Sequence, residues 1–127
     1  MVQTADRRRS FYLQLLPAQI QPHQVLNLEI VHHGYGDQAL YQQSIMSLGT
    51  DVQLPEICDA QDITIAVIEG NGTLTVNDEI VTLEPGVFVF IPANTYHMLQ
   101  TQSQLIFLLN RCRPDPDIGE SSWIINL

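Results

Sequence analysis

The sequence contains no lysine, so arginine is its only permanently positive residue. Arg7, Arg8 and Arg9 form a triplet near the N-terminus, and Arg111 and Arg113 lie close to the C-terminus. Against these five arginines stand 14 acidic residues, which gives a formal net charge of −9. A protein that follows a phosphate backbone needs a basic patch or stripe. We therefore expect no nucleic-acid partner.

Long apolar runs are also missing. No hydrophobic stretch approaches the eighteen or so residues that a membrane-spanning helix needs, so we expect a soluble protein without membrane contact. The N-terminal apolar stretch is interrupted by Gln14 and has no small-residue cleavage site after it, which argues against a signal peptide. The only cysteines are Cys58 and Cys112. Without a secretion signal they are expected to be reduced thiols in a cytoplasmic protein.

What the sequence does contain is alternation of apolar and polar residues. VLNLEIV (residues 25–31) and GTLTVND (residues 72–78) both alternate with the period of a half-buried strand. Asn77-Asp78 and the segment EPG at 84–86 are tight-turn signals that separate three short strands. We interpret these three strands as an antiparallel meander.

Two continuous apolar runs, residues 87–91 and 104–110, are rich in β-branched and aromatic residues and predict core strands. Helical spacing is confined to residues 11–20, where Pro17 limits a helix to about two turns, and this segment is alternatively an edge strand. Many short strands with regular turn signals indicate a single all-β domain, a sandwich or a small barrel.

We divide the chain into three parts. Residues 1–22 form an N-terminal arm or edge strand, and residues 23–111 form the barrel. Residues 112–127 form a tail whose apolar end, WIINL, is expected to dock on the barrel or on a partner subunit, because a free Trp and two Ile would leave an exposed apolar patch.

The segment VIEGNGTLTVNDEIVTLEPGVFVFIPANTYH, residues 67–97, resembles the cupin family. The second motif of that family matches at Gly86, Pro92 and His97, whereas Asn94 replaces a glycine and Thr101 replaces an asparagine. Asparagine tolerates the positive φ that glycine supplies at such a turn, so we expect the turn to survive. The resemblance covers residues 49–109. It implies an all-β, cupin-type jelly-roll barrel of antiparallel strands, one domain, that forms a homodimer.

The first cupin motif places two histidines one residue apart and then a glutamate, and these positions fall here on Glu56, Cys58 and Ile63. In an extended segment Glu56 and Cys58 point to one face about 7 Å apart, and with His97 opposite they predict a metal site for Zn, Fe, Ni or Mn. The other interpretation is a degenerate site with a hydrocarbon interior, for which we expect no cofactor.

With a degenerate site, His97 still lines the barrel mouth, where ligands commonly bind. Its imidazole can hydrogen-bond a carbonyl or hydroxyl or act as a general base, although a purely structural histidine is an equal alternative. The sequence thus predicts a barrel that binds a small-molecule ligand in an apolar cavity edged by His97. The alternatives are a metal-dependent oxygenase or isomerase that uses Glu56, Cys58 and His97, and a non-catalytic dimeric interaction or sensor module. Whether the protein is an enzyme stays open.

Overall fold

The computed structural model describes residues 20–35 and 38–114, and this part of the chain consists of strands, turns and loops. The strands are β1 (Val25–Tyr35), β2 (Gln38–Leu48), β3 (Ile57–Cys58), β4 (Asp62–Val76), β5 (Glu79–Leu83), β6 (Phe88–Ile91) and β7 (Tyr96–Cys112). All pairings are antiparallel, in the order β1-β2-β7-β4-β5, with β3 also paired to β7 and β6 to β4. The predicted single all-β domain is confirmed.

The N-terminal arm and the C-terminal tail lie mostly outside the described residues, so these two domain assignments stay predictions. The strands extend from Val25 to Cys112. Within the described ranges no helix has the length and apolar character to cross a membrane.

The longest ladder of the sheet joins β4 to β7 and runs along both strands from end to end. The pairing shifts register twice, between Val67 and Glu69 and between Gly70 and Gly72. Such bulges bend a strand and increase its twist. Because both shifts lie near the middle of β4, the two halves of the ladder are turned toward each other and the sheet curls into the barrel.

The predicted meander is wrong for β6. β5 pairs with residues 72–76 of β4, whereas β6 pairs with residues 63–66 of the same strand. β7 occupies the other edge of β4 along both segments, so β5 and β6 follow one another along a single edge. The backbone of Val67 bonds to the turn between them, donating to Val87 O at 2.9 Å and accepting from Gly86 N at 3.1 Å. The chain therefore continues along the same edge of β4 after the turn and does not reverse.

The three predicted turns are confirmed by their backbone angles. Asn77 and Asp78 have φ values of 47° and 68°, the two positive angles of a type I′ hairpin turn between β4 and β5. Gly86 has φ 90°, and Val87 N donates to Glu84 O at 3.1 Å, as in a turn that needs glycine at its third position. Asn94, which replaces the glycine of the cupin motif, has φ 64°.

The core lies between the inward faces of β2, β4 and β7. The run at 104–110 is a core strand as predicted, since most of its apolar side chains are buried. The run at 87–91 is only half a core strand: Ile91 is buried, but Phe88 is 80% and Phe90 is 42% exposed. Phe88 and Phe90 are exposed because they lie on the outer face of β6, which is an edge strand. The fully buried apolar side chains are Leu48, Ile63, Leu74, Leu83, Ile91 and Leu105.

Gly70 and Gly86 allow a matched test of this backbone. At Gly70, where φ is 91°, a Cβ would lie 1.6 Å from Gln104 O on β7, whereas at Gly86 it would meet nothing within 4 Å. We expect Gly86→Ala to cost only the strain of its positive φ, roughly 1 kcal/mol. Gly70→Ala must also push β4 away from β7, so it should cost roughly 3 kcal/mol or more. Urea unfolding of both variants measures the difference, and equal losses would contradict this close contact between β4 and β7.

Candidate ligand-binding site

A cavity of about 80 Å³ lies inside the barrel between β2, β3, β4 and β7. Its wall is mostly hydrocarbon, and among the residues that the structure describes only two polar side chains, His97 and Arg111, contribute to it. The apolar lining residues are Met46, Leu54, Pro55, Ile57, Ile63, Ile65, Leu74, Leu99, Phe107 and Leu109.

Both polar side chains come from β7 and share its inward face. His97 and Arg111 are fourteen residues apart in the sequence, an even number, so alternation puts them on the same side of the strand. A straight strand of this length would separate them by roughly 46 Å. They line one small cavity because β7 curves with the bulged ladder that it forms with β4.

His97 is 7% exposed, and its Nδ1 lies 3.0 Å from the backbone oxygen of Thr95. A carbonyl oxygen only accepts hydrogen bonds, so Nδ1 carries the proton of this contact. In the neutral ring Nε2 is then an acceptor, and no described residue is bonded to it. The ring is held by its own strand and has one nitrogen left for a ligand.

Arg111 is fixed at the opposite end of β7 by Asp59. Its Nε donates to Asp59 Oδ2 at 3.0 Å, and both side chains are about a quarter exposed, at 25% and 22%. The other carboxylate oxygen of Asp59 accepts from Gln61 N at 2.9 Å. The backbone oxygen of Asp59 accepts from Asn94 N at 2.7 Å, which links this loop to the turn before His97. The guanidinium therefore has a defined orientation at the cavity wall.

The structure does not bring the three predicted metal ligands together. In the pairing of β3 with β7, Ile57 lies opposite His97 and Cys58 lies opposite Tyr96. Side chains alternate along a strand, so Cys58 lies on the face away from His97, and Glu56 precedes the strand. Both side chains are exposed. Within residues 20–35 and 38–114, no three His, Cys, Asp or Glu side chains lie close enough to hold a metal ion, so these residues do not fit one.

The position of the motif glutamate is filled by hydrocarbon. Ile63 is 1% exposed and lines the cavity. Its neighbour Asp62 is buried, but its carboxylate accepts a hydrogen bond from Ala93 N at 2.8 Å. Alternation directs Asp62 to the face opposite Ile63. The carboxylate of Asp62 thus stabilises the loop after β6 and does not contribute to the cavity wall.

Thr101 takes the place of the motif asparagine and has a structural role. Its side chain is 5% exposed, donates to Gly49 O at 2.8 Å and accepts from Val52 N at 2.9 Å. One hydroxyl thereby fixes both ends of the turn that leaves β2. Thr101 therefore stabilises this turn through its hydroxyl group.

Arg111 and Asp59 were not among the candidate site residues from the sequence. A signal for Arg111 was present, because it continues the alternation of Leu105, Phe107 and Leu109 on the buried face of β7. A permanent cation at such a position is costly unless it has a partner or a ligand. The partner, Asp59, is 52 residues away in the sequence and is recognisable only in the fold.

Comparison with known proteins adds the family. Residues 46–109, half of the chain, match the model of the cupin domain. The chain belongs to the cupin family. Neither Cys58 nor Cys112 forms a disulfide in this structure. A comparison with curated proteins found no significant match.

Several solved structures share this cupin fold. A conserved protein of unknown function from Streptococcus pyogenes superposes with a TM-score of 0.70 at 18% identity, over 84% of this chain and 92% of that one. A cupin superfamily protein from Desulfitobacterium hafniense gives 0.67 at 18% identity, over 84% and 94%. The Cnp3 cupin domain of Schizosaccharomyces pombe gives 0.62 at 8% identity, over 80% and 70%. At these identities the likeness shows the fold alone.

The role of Thr101 is tested by Thr101→Val, which has a similar shape but no hydroxyl. The change leaves Gly49 O and Val52 N without their side-chain partner, so we expect a loss of about 2 kcal/mol in the free energy of unfolding. Thr101→Ser keeps the hydroxyl and is the control, with a clearly smaller loss. Chemical unfolding measures both, and a Val variant as stable as the wild type would show that these bonds contribute nothing.

Proposed function

We propose that this cupin binds a small molecule in the apolar cavity edged by His97, in a barrel whose metal site is degenerate. The observation that supports the proposal is the buried imidazole of His97. No described residue bonds its Nε2, and the cavity wall around it is nearly all hydrocarbon. Ligand sites typically combine such walls with a few placed polar groups. The proposal includes a cytoplasmic location, which the two free thiols support.

The size of the cavity limits the ligand. An engineered cavity of about 150 Å³ accommodates benzene, and this one measures about 80 Å³. The part of the ligand inside the barrel is therefore a chain of about three to five carbon atoms. A hydroxyl on that chain is a suitable donor for Nε2 of His97.

A metal-dependent oxygenase or isomerase is the weaker candidate. It would need Glu56 and Cys58 to reach the ion from the same side as His97, but the pairing of Ile57 with His97 directs Cys58 away from it, and Glu56 is exposed before β3. Bringing them inward requires a one-residue slip of β3, which would turn Ile57 out of the cavity. A metal-free binding site requires no such change of register.

The binding role of His97 is tested with butan-1-ol as the probe. His97→Phe keeps a flat ring in the wall and removes both nitrogens, so we expect the Kd for butan-1-ol to rise roughly three- to tenfold, the worth of one neutral hydrogen bond. Amide shifts in a two-dimensional NMR titration give the Kd. Tyr96→Phe is the matched control, because Tyr96 precedes His97 on the outward face and is 59% exposed.

Two outcomes would count against the proposal. Absence of any saturable shift with butan-1-ol in the wild type would mean that the cavity does not take a small molecule. An unchanged Kd in His97→Phe, with a lower melting temperature, would leave His97 with a structural role only.

The proposal also includes a homodimer, formed through the outer face of the sheet next to β6. Phe88 is 80% exposed there, and the register places Ala66, Leu108 and Ile45 beside it across β4, β7 and β2. Next to this row lie the uncharged side chains of Gln43, Thr64 and Asn110, where Asn110 accepts from Gln43 at 2.9 Å and donates to Thr64 at 3.0 Å. In a chain of net charge −9, two copies meet with less repulsion at this apolar patch than at the acidic parts of the surface.

Phe88→Glu places a charge on the most exposed side chain of this row and should shift the protein from dimer to monomer. Ile80→Glu is the control, because Ile80 is 71% exposed on β5 and away from β6. Sedimentation equilibrium at micromolar concentration measures the change. A wild type that is monomeric, or a Phe88→Glu variant that dimerises as well as Ile80→Glu, would contradict the interface.

A further inference from the structure

We propose that the ligand of this cavity carries a carboxylate, held by the guanidinium of Arg111 while the apolar body lies inside the barrel. This inference rests on the proposed function, since it names the chemical class of the ligand for the same site. The observation behind it is a permanent cation in the cavity wall, the one that the described residues place there.

The hydrogen bonds of Arg111 leave most of its donors available. A guanidinium has five N–H donors in a planar fork. Only Nε is bonded, to Asp59 Oδ2, and no described residue is bonded to the two Nη groups. The Nη groups present the paired donors that a carboxylate accepts side by side. A neutral amide or alcohol has fewer acceptor sites and would leave some of these Nη donors without a hydrogen bond.

Asp59 orients the guanidinium and leaves both Nη groups to a ligand, while its own charge offsets part of the attraction for an anion. One of its oxygens accepts from Arg111 Nε and the other from Gln61 N, so both have partners. The carboxylate sits on the Nε side of the guanidinium and fixes its plane. A guanidinium with a fixed plane loses less entropy on binding a second carboxylate.

An anionic ligand needs a positive group nearby, because the chain as a whole is strongly acidic. The net charge of −9 repels an anion at long range, and the described residues contain only two arginines, Arg111 and Arg113. Of these only Arg111 lines the cavity. Partial burial strengthens its attraction, because the side chain is only 25% exposed and the local dielectric is below that of water.

The position and size of the cavity define the ligand further. A cavity of about 80 Å³ takes a chain of a few carbon atoms, and the carboxylate stays at the partly exposed Arg111. The expected class is a short aliphatic carboxylic acid. Larger acids would fit only with their remaining atoms outside the barrel.

Butanoate and butanamide test the inference, because they share the same chain and differ in charge. In the wild type at constant ionic strength, we expect butanoate to bind at least about tenfold more tightly than butanamide, the effect of hydrogen bonds to a charged group. NMR titration gives both Kd values. Arg111→Gln should remove the preference, and Arg111→Lys, which keeps the charge but loses the fork, should retain part of it.

Arg113→Gln is the matched control. It removes the same charge two residues further along, at a side chain that does not line the cavity. We expect the preference for butanoate to be unchanged. An equal loss in Arg113→Gln and Arg111→Gln would reduce the effect to net charge and overturn the inference.

The remaining outcomes separate this inference from the proposed function. If butan-1-ol binds but butanoate binds no better than butanamide, the carboxylate is wrong and the cavity proposal stands. If none of the three probes binds, the proposed function itself fails. Should Arg111→Gln not fold, as judged by its melting curve, the wild-type ratio and Arg111→Lys decide the question.

Discussion

The ladder between β4 and β7 is the constraint on which the rest of the structure depends, because every other strand except β1 pairs with one of these two. The outer edge of β4 carries β5 and β6, and the outer edge of β7 carries β2 and β3. Close contact at Gly70 lets the ladder bend in its middle. That bend brings the two ends of β7, with His97 and Arg111, to a single cavity.

Most of the strands were predictable because their signals are local. Alternation, the turn at Asn77-Asp78 and the turn at Gly86 depend on neighbouring residues, and each is present as expected. The order of strands in the sheet is a long-range property. A turn signal before β6 predicts a chain reversal, yet β6 continues along β4 because hydrogen bonds between the turn and Val67 hold it there.

In the candidate site, too, local features were predictable from the sequence and long-range pairings were not. The motif spacing identified His97, which lines the cavity. Parity predicts a shared face for Glu56 and Cys58, but only the pairing of Ile57 with His97 decides which face Cys58 takes. Asp59 has no sequence signal at all, because its partner Arg111 is 52 residues away. The chemistry of the site thus depends on register, which a single sequence does not specify.

The site keeps the scaffold of a cupin while its wall has different chemistry. Isoleucine stands at the position of the motif glutamate, and it excludes water from the interior as it fills the space. Thr101 preserves the loop that the motif asparagine would occupy. What is left is an apolar cavity with an acceptor at His97 and a cation at Arg111, which suits the binding of a small polar-ended molecule.

The most direct test of this account is the metal content of the untagged protein, measured by elemental analysis after reconstitution with Zn, Fe, Ni or Mn under reducing conditions. A metal-free binding barrel predicts far less than one ion per chain, with the same value in Cys58→Ala. One ion per chain that is lost in Cys58→Ala and in His97→Ala would contradict the account. That result would require β3 to take a register in which Cys58 and His97 share a face.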